Sequence, residues 1–176
     1  FERDLDDSLI LNTIYVNIVA RSIGLAAMTT ILCLIIGLPV AYFIARQPED
    51  KRNLYMLLIT IPFWTNLLIR TYAWILILTR NGVVDARLQW FGFEPGTFDL
   101  LYTNTAIFIG LVYSYLPFMV LPLYASLEKM DFRLIEAASD LYASKWQAAR
   151  HVIIPLAKPG IVAGSLLVFI PSIGAF

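Results

Sequence analysis

Four stretches of this chain stay apolar for longer than a water-facing helix sustains. The first, roughly Ile23 to Ala45, carries no charge at all. At about 1.5 Å of rise per residue, some 20 apolar residues cross the roughly 30 Å hydrocarbon core of a bilayer. The second, Leu54 to Leu78, is broken by Pro62 and carries Arg70; the third, about Leu101 to Leu127, contains Pro117 and Pro122; the fourth begins near Gly160 and runs to the last residue. The pattern predicts three full spans and part of a fourth, an all-α polytopic transmembrane bundle forming a single domain over residues 1–176. The opening Phe1-Glu2-Arg3-Asp4 is neither a start methionine nor a basic leader, and the chain stops inside an apolar run at Phe176. The sequence therefore reads as a fragment lacking terminal helices.

Two connections have structure of their own. Thr79–Leu100 is bounded by the turn signals Asn81-Gly82 and Glu94-Pro95-Gly96, and Val83, Val84, Leu88, Trp90 and Phe91 recur between them at helical spacing. That spacing predicts a short amphipathic helix lying at an interface, anchored by Trp90. Residues 128–159 are amphipathic rather than apolar. Leu134, Ile135, Ala138 and Leu141 make one short helical stripe; Ser144 is placed to N-cap a second, with Trp146, Ala149, Val152 and Ile153, which Pro155 is expected to close before Pro159-Gly160 opens the fourth span. Such a hairpin either packs against its own bundle or offers a grip to another protein, and the pattern leaves both open.

Composition supports the bilayer as solvent. Of 176 residues, 59% are hydrophobic and 15% charged, against about 45–50% and about 25% in soluble domains. Net charge is formally zero, so nothing points to nucleic acid. Lys and Arg are unevenly placed: Arg46, Lys51 and Arg52 between the first two spans, and Lys129, Arg133, Lys145, Arg150 and Lys158 before the fourth, against Arg3, Arg21, Arg80 and Arg87 opposite. The positive-inside rule puts the two richer segments in the cytoplasm.

Within residues 128–159, Glu136-Ala137-Ala138, then Tyr142, then Val152-Ile153-Ile154-Pro155 resembles the EAA loop of bacterial ABC importer permeases: Glu-Ala-Ala, three residues, Gly, nine residues, Ile-x-Leu-Pro. The spacing is complete, with Tyr142 standing where that family has glycine. A residue other than glycine there either takes a strained left-handed backbone or gives the turn another shape. Ile61 to Trp74 (IPFWTNLLIRTYAW) with Asn81-Gly82, Leu111 to Tyr124 (LVYSYLPFMVLPLY), Leu141 to Lys145 and Gly164 to Pro171 are similar to the permeases of spermidine/putrescine importers, nearer to the first of the two such permeases. The resemblance implies a type I importer permease of the bacterial inner membrane, multi-pass. It implies as partners a second related permease, two cytoplasmic ATPase subunits and a periplasmic substrate-binding protein. It also implies no reaction and no cofactor in this chain, ATP and Mg being bound by the partner ATPase. Glu136 would contact that ATPase, with Ala137 and Ala138 permitting close approach and Tyr142 at the turn of the coupling loop.

A polyamine path should offer aromatic faces and oxygen acceptors to a flexible polycation. Trp64, Asn66, Tyr72 and Trp74 of the second span and Tyr113, Tyr115 and Phe118 of the third are candidates; bundle packing and interface belts account for aromatics equally well. Arg70 marks a site by default, since a charge in a membrane is costly. It would bind a carboxylate or carbonyls of the partner permease, or else snorkel to the outer surface. No Asp or Glu falls within a predicted span, so carboxylates would come from partners or from loop residues such as Asp85 and Asp99. The same gap counts against a secondary transporter, which needs intramembrane carboxylates for ion coupling. Cys33 reads as a packing residue and His151 as a surface or packing residue, and their placement in different compartments, one in a span and one on the cytoplasmic segment, does not make an enzyme's nucleophile and base. Ferric iron, an opine or another small solute remains the alternative cargo.

Overall fold

The computed structural model describes residues 2–79, 82–90, 92, 103–140 and 142–175, with side chains described from residue 14 onward apart from those of residues 67 and 88. Every regular element among them is a helix: α1 (Glu2–Ala45), α2 (Glu49–Trp64), α3 (Leu67–Leu78), α4 (Val83–Trp90), α5 (Asn104–Leu127), α6 (Arg133–Asp140), α7 (Lys145–Ala148) and α8 (Ile154–Ile173), with a π-helical turn, Ala149–Ile153, joining the last two. Three helices are long and apolar enough to cross a membrane, and α2 with α3 makes a fourth if the bent pair is one span.

Two helices run further than their sequences predict. α1 is already helical well before Ile23, from Glu2 onward. Arg21 does not end it, because its guanidinium lies on the helix flank and donates to Asn104 Oδ1 at the start of α5, 3.3 Å away. Pro155 does not close the second hairpin helix, and Lys145–Ile173 is one continuous 29-residue helix. A proline ring clashes with the carbonyl four residues back and forfeits one hydrogen bond. Here the π turn just before Pro155 widens the ladder, with Ile154 N–H donating to Ala149 O, and the proline is accommodated at the second position of α8.

The second span, by contrast, is broken. Pro62 lies in the last turn of α2, Thr65 and Asn66 are extended, and Asn66 restarts the helix by accepting the Leu68 N–H on its side chain at 2.8 Å. The chain bends by more than 40° there.

Contacts along the helices give their directions. Arg21 meets Asn104, Cys33 Sγ approaches Val112 O at 3.9 Å, and the Tyr42 and Phe132 rings lie 6.3 Å apart, so α1 and α5 run parallel. Phe63 touches Phe118 and Arg52 touches Glu128, so α2 runs against them. Tyr115 Oη donates to Pro171 O at 3.3 Å, while Gly164 lies against Met119 and Gly160 against Pro122, so α8 is antiparallel to α5. Alternation of the spans follows, and the two basic-rich segments share one end of the bundle.

The core lies where α1, α5 and α8 meet, around Cys33, Ile44, Met119, Leu123, Leu127, Ala157 and Val168. α5 and α8 approach backbone to backbone: a Cβ on Gly160 would stand 2.5 Å from Pro122 O, and one on Gly164 would stand 2.8 Å from Met119 Sδ. Two small residues four apart let membrane helices close in this way. The outer faces stay apolar, with Ile18, Val19, Ile31, Ile35, Leu57, Ile69 and Leu76 exposed. Lipid or another apolar chain is the solvent such faces require.

Candidate functional site

The hairpin of α6 and α7 is assembled from local signals. α6 ends with Ala143 N–H donating to Ala138 O and Tyr142 N–H to Ser139 O, both at 3.0 Å. Those two bonds make a Schellman termination, whose next-to-last position is left-handed and usually glycine. Tyr142 fills it at φ +60 and takes the strained option. Its ring is 97% exposed, so no packing within the chain compensates. Ser144 then caps α7 as its sequence predicts: Oγ accepts from Gln147 N–H at 3.3 Å and Gln147 Oε1 accepts from Ser144 N–H at 2.7 Å, a reciprocal capping box.

The hairpin packs against its own bundle on one face and leaves the other face open. Phe132 and Ile135 pack against the bundle core, while Glu136, Ala137, Asp140, Tyr142 and Trp146 are exposed. Ala138 is half-buried beneath them, and Leu141 lies outside the described residues. His151 is exposed, its Nδ1 3.0 Å from Gln147 O.

A second feature is a cavity of about 620 Å³ between α3, α5 and the end of α8. Arg70, Trp74, Tyr115 and Phe118 line it together with Phe63, Ser114 and Pro171, and no carboxylate is among its lining residues. Phe63 and Phe118 meet edge to face at 5.2 Å, and Trp74 and Tyr113 do so at 5.4 Å. Arg70 is half-buried. Its Nη2 donates to Pro62 O at 2.7 Å and to Thr65 O at 3.2 Å, its Nη1 donates to Ser114 Oγ at 3.3 Å, and its Cζ sits 5.8 Å from the Tyr113 ring centroid. The guanidinium is thus held by carbonyls of its own chain and does not reach out along the helix to the surface.

The remaining candidates lie elsewhere. Trp64 and Tyr72 are exposed outside the cavity lining, and the Asn66 side chain is engaged as the α3 cap. Asp85 is buried in α4, Trp90 is exposed at its end, and Asp99 lies outside the described residues. Phe63 and Ser114 are among the lining residues that the sequence pattern did not nominate. Phe63 sits next to Pro62 and Ser114 between two tyrosines, positions from which spacing alone could have nominated them.

An α-helical bundle with three helices long and apolar enough to cross a membrane, a broken pair that can make a fourth and an exposed hairpin at one end has the architecture of a multi-pass membrane protein. Residues 33–176 match the family model described as binding-protein-dependent transport system inner membrane component, and the chain belongs to that family. It is 46% identical over 167 residues to the spermidine/putrescine transport system permease protein PotB of Salmonella typhimurium, covering 95% of this chain and 58% of that protein. The Escherichia coli protein of the same name is 44% identical, with 95% and 61% covered. The chain thus spans about three fifths of the length of these relatives. The Azotobacter vinelandii molybdenum transport system permease protein ModB is 28% identical, covering 88% of this chain. Among solved structures, the bacterial alginate ABC transporter in complex with an alginate-loaded periplasmic protein superposes with a TM-score of 0.59 at 20% identity, over 81% of this chain and 52% of that one, a likeness of fold.

Proposed function

We propose that this chain is the membrane-spanning part of an ATP-driven importer permease that moves polyamines, spermidine or putrescine, inward across the bacterial inner membrane. Identity of 46% over nearly the whole chain to a spermidine/putrescine permease carries the cargo reading. The hairpin supports the coupling. Its outer face, with Glu136, Ala137 and Tyr142, is open to a cytoplasmic ATPase subunit, and α7 continues without a break into α8. A displacement of the hairpin therefore reaches the membrane layer through continuous helix rather than through a loop. ATP and Mg belong to the ATPase in this reading, and the chain itself performs no chemistry.

The aromatic cavity is part of the path. Trp74, Tyr115 and Phe118 offer ring faces to ammonium groups and methylenes, while the neutralising carboxylates come from the second permease or the periplasmic binding protein. The test is the ATPase activity of the reconstituted full-length complex with its binding protein, in spermidine, putrescine or no ligand. Stimulation by a polyamine is expected. Stimulation only by another solute would keep the machine and discard this cargo.

A further inference from the structure

We infer that Arg70 is a positioning residue that caps α2 from outside that helix, holding the break in the second span and with it the wall of the cavity. A helix that stops inside a membrane leaves carbonyls of its last turn without donors, and each such group costs several kcal/mol in hydrocarbon. At the end of α2 the donors are supplied locally. Pro62 O receives Thr65 Oγ1 at 2.7 Å, Arg70 Nη2 at 2.7 Å and, at a longer 3.4 Å, Thr65 N–H, and Thr65 O receives Arg70 Nη2 at 3.2 Å. The cation also faces the negative end of the α2 dipole.

The same guanidinium reaches a third element. Nη1 donates to Ser114 Oγ on α5, so one planar fork joins the end of α2, the start of α3 and the middle of α5. Phe63, the neighbour of the capped Pro62, is thereby held against Phe118 on the cavity wall. Lysine has the charge but not the fork: a single ammonium nitrogen cannot stand in for two nitrogens that reach acceptors on separate elements. Geometry rather than charge is therefore what position 70 requires.

The experiment uses the full-length permease with its partners in native membranes, in a background from which the permease's native thiols, Cys33 among them, are removed. Cysteines replace Phe63 and Phe118, whose rings lie 5.2 Å apart, and a short bifunctional thiol reagent reads their proximity. The pair is expected to cross-link readily with Arg70 present, and about tenfold more slowly in both Arg70→Lys and Arg70→Gln, because neither side chain supplies the fork. Wild-type cross-linking in Arg70→Lys would overturn the proposal in favour of charge alone, and wild-type cross-linking in both would leave Arg70 no positioning role. Ser114→Ala keeps both caps on α2 and guards against variants that fail to insert. It is expected to slow cross-linking by about threefold alone and not at all when added to Arg70→Lys, as for two halves of one contact. Fully additive losses would refute the shared contact. The placement of the cavity on the path rests on the proposed function, but the cross-link needs no substrate, so a failure of the polyamine reading leaves this result standing.

Discussion

Arg52 Nη2 stands 3.2 Å from Glu128 Oε1, tying the first turn of α2 to the residue that ends α5. The same guanidinium lies 3.6 Å from Glu49 and 6.0 Å from the centre of the Tyr124 ring. Glu128 is followed within five residues by α6, so the pair sits where the bundle hands over to the hairpin.

Because both side chains are partly open to water, the pair should contribute about 1 kcal/mol or less to stability. Arg52→Ala and Glu128→Gln are each expected to lower the melting temperature of the purified complex slightly, and the double variant to fall no further than the worse single one. A salt titration supplies a second check, since the difference from wild type should shrink as ionic strength rises. Additive losses would show that the two side chains stabilise the protein through separate contacts.

Gly160 and Gly164 should not tolerate a methyl group equally. At Gly160 the new carbon would meet backbone, Pro122 O at 2.5 Å and Leu123 Cα at 2.9 Å, whereas at Gly164 its nearest neighbour is the flexible Met119 Sδ at 2.8 Å. Overpacking costs about 1–3 kcal/mol, and Gly160→Ala belongs at the upper end because backbone cannot swing aside. Gly110→Ala, with nothing within 4 Å of the added carbon, is the control expected to be neutral. Yield of assembled complex in detergent ranks the three; equal yields for Gly160→Ala and Gly110→Ala would rule out the close helix crossing.

Tyr142→Gly should stabilise the hairpin. A left-handed residue with a Cβ costs about 1–2 kcal/mol, and the exposed ring has no packing of its own to lose. Hydrogen exchange at the Ala143 amide, which donates to Ala138 O, is expected to slow by about fivefold in the glycine variant, and to quicken in Tyr142→Val, where β-branching worsens the strain. Faster exchange in Tyr142→Gly would mean that the ring holds the turn. Loss of ATPase stimulation in a glycine variant whose hairpin is more stable would instead place the ring in the contact with the ATPase.

Much of this was legible from the sequence because it is local. Long uncharged runs had to be membrane helices, and Ser144 three residues before Gln147 is a helix start written in the side chains that make it. What escaped depends on competition between neighbouring signals. Pro62 announced a break in the second span, but not that Asn66, four residues on, would restart the chain as a separate helix. Pro155 read as a stop, yet a π turn absorbed it. Arg70 announced a site but not its partners, since Pro62, Thr65 and Ser114 meet only after the break folds α3 back towards α2 and α5. The spacing Gly160-x-x-x-Gly164 was visible all along; that it faces Met119 and Pro122 is a property of the packed helices.

Glu136 is the residue on which the coupling reading can be tested most directly. It lies on the exposed face of the first turn of α6 and pairs with no described residue of its own chain. Removing it should therefore leave folding and insertion intact, and surface substitutions of that kind usually change stability by less than about 0.5 kcal/mol. If it meets a basic group of the ATPase, the lost charge-assisted hydrogen bond is worth about 1.5–3 kcal/mol. Glu136→Ala should then depress substrate-stimulated ATPase activity by about tenfold or more, while membrane content and binding-protein docking stay near wild type. Glu136→Gln, which keeps the shape and one acceptor, should fall between the two. Raising the ATPase concentration during reconstitution should restore part of the loss, because the defect is one of docking affinity rather than of the membrane path. Wild-type stimulation in the purified Glu136→Ala complex would remove this carboxylate from the coupling contact and shift attention to Tyr142 and Trp146 beside it.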